Sequence, residues 1–156
     1  MGYTIDDLGL FEPRFDPAAL KGTSYFELHP KEVPAEHSCW LPGSLFLQDA
    51  AFDFFTTCFQ SANQSFDHFS FMRFGEIEIE RVIIELDVFL NVLVTNPSRT
   101  QVFANYASIF SQDSQDIWSG IDTVALVRSV RTTGQQMRDF IQSNTRQTKC
   151  LWILGM

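Results

Sequence analysis

Gly75-Glu76-Ile77-Glu78-Ile79-Glu80-Arg81-Val82-Ile83-Ile84-Glu85-Leu86-Asp87-Val88-Phe89-Leu90-Asn91-Val92-Leu93-Val94 is the stretch on which the fold turns. Within it Ile79, Val82, Ile83, Leu86, Leu90 and Leu93 recur at i, i+3, i+4, i+7, i+11 and i+14. That spacing predicts a helix over 76–94 with one broad apolar face toward a core. A second apolar set, Ile77, Ile84 and Val88, lies opposite. A helix apolar on two sides is expected to pack between two layers. Glu78, Arg81 and Glu85 form one polar edge, and Glu76, Glu80, Asp87 and Asn91 form the other. The strict alternation of Glu76 to Glu80 leaves a strand start as the alternative there.

The chain changes character at Gly75. Nine of its sixteen Phe residues fall between Phe46 and Phe74, so that block locates the core. Ser44 is read as the N-cap of a Phe-rich helix running to about Ala62. Phe66 to Phe74 is ambiguous, with Phe69 and Phe71 alternating. Residues 1–22 read as a turn-rich entry with one helical turn at Pro17 to Leu20. Thr23 to Leu28 reads as a short strand.

Beyond Pro97, Ser98 caps a helix whose core face is Val102, Phe103, Tyr106 and Phe110. Ser111 to Asp116 reads as a loop. A further helix is expected from about Asp116 through Arg131, continuing to about Asn144 with a kink or break at Gly134. Thr148 to Leu154 is a β-prone tail placed to pair with Thr23 to Leu28. The expected fold is α+β and mainly helical: one globular domain over 1–156, four to five helices, and a small sheet from the terminal segments. An all-α fold is the alternative.

A chain of 156 residues builds a full core without staples. Cys39, Cys58 and Cys150 are odd in number and widely spaced, which predicts reduced thiols and a cytoplasmic protein. The start lacks a basic and then apolar leader, and no long uncharged apolar run occurs, so neither a secretory signal nor a membrane span is expected. Net charge is -8: residues 1–95 carry -10 and residues 96–156 carry +2. Phosphate backbones demand a basic footprint, so nucleic acid is not an expected partner. A positive protein partner is.

Motifs for chemistry are absent. His29, His37 and His68 are scattered, which gives no zinc pattern. No Gly cluster makes a phosphate cradle and no GxSxG occurs. Cys58 lies in a Phe-rich segment suited to a core thiol, and Cys39 lacks an ordered base. Neither an enzyme nor a cofactor is expected, and no metal. The carboxylates Asp49, Asp53, Glu76, Glu78, Glu80, Glu85 and Asp87 are the expected partner-binding surface, formed if the two helices that carry them are neighbours.

The acidic first 95 residues, the Trp40-Leu41-Pro42-Gly43 lead into the Phe-rich segment and the Cys150-Leu151-Trp152-Ile153-Leu154-Gly155 end give the chain a general character. In that character it resembles the immunity proteins of bacterial contact-dependent growth inhibition and related polymorphic toxin systems. The resemblance carries no functional residue over. It implies a cytosolic protein-binding inhibitor that covers the basic active-site cleft of a cognate toxin domain. A small-molecule-binding or regulatory domain with a Phe-lined pocket is the alternative.

Overall fold

The computed structural model describes residues 2–34, 39–108 and 114–155. Four strands form one antiparallel sheet: β1 (Tyr25–His29), β2 (Leu45–Gln48), β3 (Phe71–Phe74) and β4 (Leu151–Leu154), in the order β2-β1-β4-β3. The helices are α1 (Asp49–Phe52), α2 (Thr56–Ala62), α3 (Glu76–Leu93), α4 (Arg99–Val102) and α5 (Thr123–Thr145). The fold is therefore α+β and mainly helical, as the sequence predicts.

The terminal pairing takes the expected form, with Leu28 opposite Ile153 and His29 opposite Trp152. β4 also pairs with β3, where Met72 faces Ile153 and Phe74 faces Leu151. The sheet is thus larger than two terminal strands. Its fourth member is a correction: Leu45–Gln48 is a strand, not the first turn of a helix. Leu45 pairs with Leu28 and Leu47 with Phe26. An apolar run of this length fits a buried strand as well as a helix, and the waiting edge of β1 decides it. The helix begins only at Asp49, and a 3-10 turn at Asp53–Phe55 separates α1 from α2.

Phe26, Leu28, Leu45, Leu47, Leu151 and Ile153 join the main core on the helical side of the sheet. Phe52 stacks on Phe26 with centroids 4.1 Å apart, and Phe54 meets Phe11, Phe103 and Trp118. The Phe block is a ring-on-ring core, in which such pairs add roughly 0.5–1.5 kcal/mol each beyond the area they bury.

α3 packs against α2 and α5. Its first turn is closed by Glu78, whose Oε1 accepts from the Gly75 N–H at 3.1 Å. Alternation at Glu76 to Glu80 does not make a strand, because helical burial of Ile79 and Val82 continues in register with Leu86 and Leu93. Ser98 caps α4, its Oγ accepting from Gln101 N, but α4 lasts one turn; Phe110 lies outside the described residues.

α5 starts later than expected. Asp122 caps it by accepting from Ala125 N at 2.8 Å, and Ser114–Trp118 forms a separate 3-10 turn. A 3-10 helix at Ile5–Phe11, within the turn-rich entry, packs on α5. Gly134 does not break α5, which runs through it from Thr123 to Thr145. A Cβ there would stand 2.9 Å from Phe55 Cε1 and 3.1 Å from Leu90 Cδ2, so glycine permits the close approach of α5 to the 3-10 turn at Asp53–Phe55 and to α3.

Candidate docking face on α3

α3 has two apolar sides with opposite fates. Ile79, Val82, Leu86, Phe89, Leu90 and Leu93 are buried. Ile77, Ile84 and Val88 are 82%, 53% and 57% exposed. At about 100° per residue these three fall within about 40° of one another, at the centre of the outward side. The expectation that a second layer covers them is not met among the described residues.

Carboxylates border this stripe on both sides. On one side stand Glu76, Glu80 and Asp87. Asp87 accepts from Arg138 of α5, with Nε to Oδ1 at 2.8 Å and Nη2 to Oδ2 at 3.2 Å. Glu76 meets Lys149 at 3.4 Å. Glu80 forms no ion pair among the described residues and is exposed. On the other side Glu85 meets Arg81 at 2.8 Å, and Glu78 accepts from Asn63 Nδ2 at 2.9 Å. Surface pairs of this kind are worth roughly 0–1 kcal/mol each. Their consequence here is geometric: the paired side chains hold the acidic borders beside an uncovered apolar row.

Asp49 and Asp53 do not extend this face. Asp53 is only 5% exposed, so it is corrected from surface ligand to buried group. Burial, reinforced by the charge of Asp49 and opposed by a hydrogen bond from Ser108, pushes its carboxyl up to about 8. Its Oδ1 lies 4.0 Å from His68 Nε2. That contact is not an ion pair near neutral pH, because burial also lowers His68 and both groups favour their neutral forms. Thr56 Oγ1 donates to Ala107 O at 3.2 Å and lies 3.3 Å from His68 Nε2, which suits an Nε2–H donor. Asp49 is half-buried at the β2–α1 junction, where its backbone N–H donates to Ser24 O at 3.0 Å.

A third polar group lies on the other face of the sheet. Ser44 Oγ donates to Glu27 Oε2 at 2.7 Å, and His29 Nδ1 lies 2.8 Å from the same Oγ. Glu27 also accepts from the backbone N–H groups of Trp40 and Leu41. Serine stands between histidine and carboxylate, and all three are buried. A hydrolase needs the histidine between the other two and a hydroxyl open to substrate. The group instead clasps the turn at 40–44 to β1, which is why Ser44 is not a helix cap.

Two of the three thiols, Cys58 and Cys150, are buried. Burial pushes Cys58 up to about 12 and Cys150 up to about 11. Cys39 is exposed, and His37, two positions before it, lies outside the described residues. No group of three or more metal-ligating side chains occurs among the described residues, and none of their helices is long and apolar enough to cross a membrane.

Five of the seven carboxylates expected to act together therefore lie on α3, and the apolar residues between them are the part that charge-based reasoning missed. Their i, i+7, i+11 spacing was the available signal. No family model matches the chain, nor does any curated protein or solved structure.

Proposed function

We propose that this protein is a cytosolic protein-binding inhibitor, and specifically an immunity protein that neutralises a toxin domain by covering its basic cleft. The observation that carries the reading is the outward side of α3, where Ile77, Ile84 and Val88 stand uncovered between two acidic borders. Apolar side chains at the centre of a patch supply affinity on desolvation, and a charged rim supplies steering and selectivity. An acidic rim suits a partner whose own surface is basic, as a cleft built for phosphates must be. The Phe residues favour no ligand pocket, because their rings pack on one another in the core.

The test is capture and assay. Tagged protein is incubated with lysate of the source organism at low and moderate salt, and bound proteins are identified by mass spectrometry. A single stoichiometric partner, whose toxicity or catalytic activity is abolished by equimolar protein, is expected. A partner that keeps full activity in the complex would reject inhibition.

A further inference from the structure

α3 carries two heptad rows back to back. Ile79, Leu86 and Leu93 recur every seven residues and are buried in the protein's own core. Ile77, Arg81, Ile84, Val88 and Asn91 recur at intervals of four, three, four and three, and all five are exposed. That alternation is the spacing of a coiled-coil seam, in which side chains at seven-residue repeats insert between those of a second helix. The positions flanking the seam are Glu78 and Glu85 on one side and Glu80 and Asp87 on the other.

From this seam we infer that the partner's contact element is an amphipathic helix with apolar residues at its own a and d positions and Lys or Arg flanking them. The flanks choose this occupant. A second copy of the chain would set carboxylate against carboxylate. In an antiparallel pair Glu85 would face Glu85 and Asp87 would face Asp87, and in a parallel pair Glu80 would face Glu85. Like charges across a seam disfavour pairing, whereas basic flanks would be matched on both sides. Arg81 and Asn91 are polar seam residues, and polar groups within a seam select register at some cost in affinity. The inference deepens the inhibitor reading by naming what the partner presents, and it rests on that reading only for the existence of a partner.

Two synthetic helices of about three heptads test it, each with Leu at a and d. One carries Lys at the flanking positions and the other carries Glu. Binding to the full chain is read by fluorescence anisotropy, and the protein's own mass by light scattering. The Lys helix should bind a monomeric protein and the Glu helix should not. Binding should weaken at least about tenfold in the variant Ile84→Ser with Val88→Ser, which keeps every charge. Equal binding to that variant would show unspecific charge attraction and overturn the inference, as would failure of the Lys helix to bind. A dimeric protein made monomeric by the same variant would assign the seam to a second copy. The two readings fail separately. A captured partner indifferent to the seam variant would refute the helix and leave inhibition standing. A bound Lys helix with no inhibited partner would do the reverse.

Discussion

The inner and outer sides of α3 are built from similar residues and do opposite work. Leu86 is fully buried, whereas Ile84, two positions earlier, is 53% exposed. Hydropathy alone does not separate them. What separates them is whether α2, α5 or the sheet lies against the side chain. The row of isoleucine and valine that the fold leaves uncovered is what the proposed partner would cover.

The largest expected effect exposes that difference directly. Leu86→Ala should destabilise the protein by about 2–5 kcal/mol, because it leaves a cavity in a packed core. Ile84→Ala should fall within about 0.5 kcal/mol of wild type, as surface changes do. Urea unfolding of the two variants reads both numbers, and similar losses would show that the outer side is covered.

Gly134→Val sharpens the inner half of the contrast. The new side chain would meet Phe55 and Leu90, already close to a bare Cβ. Overpacking of this kind costs about 1–3 kcal/mol and should appear as a lowered thermal midpoint. Unchanged stability would mean that α5 stands further from α3 than the structure places it.

Buried and exposed carboxylates provide the next contrast. Asp53 ionises near 8 in the folded chain, against 3.8 for a free aspartate. The folded state thus holds a proton that the unfolded state releases, and stability falls as pH rises between those values, by at most about 1.4 kcal/mol per pH unit. His68 works in the opposite sense, because its lowered folded pKa makes stability fall as pH drops below about 6.5. His29 is lowered in the same way, so the window from about 7 to 8, above both histidines, is dominated by Asp53, with Asp49, Ser108 and His68 around it. Asp53→Asn should flatten denaturation midpoints measured across that window. A slope unchanged by the substitution would place Asp53 in solvent.

The smallest effect belongs to the rim. Arg138→Gln removes the cation from Asp87 and should cost about 0.2–1 kcal/mol, less at high salt. A larger, salt-independent loss would show that this pair is part of the core.

Much of this arrangement was legible in the residues. The period of Ile79 to Leu93 defined α3, and the β-prone segments at 23–28 and 148–154 foretold the β1–β4 pairing. The strand at Leu45–Gln48 was not legible, because a short apolar run has no period of its own and its state is fixed by β1. Asp53 read as surface because charge usually is; only the tertiary approach of His68 and Ala107 shows otherwise. The stripe Ile77, Ile84 and Val88 was visible as a pattern, but whether anything covers it is a property of the fold. The buried Glu27–Ser44–His29 clasp left no local signal, since its members are fifteen or more residues apart where they join Ser44.

The most direct test of the docking face compares capture by wild-type protein with capture by the variant Ile84→Ser with Val88→Ser, after circular dichroism has shown equal folding. A stoichiometric partner should be held by the wild type at low and moderate salt and lost by the variant. Retention of that partner at equal yield by both proteins would contradict the assignment of α3 as the binding surface.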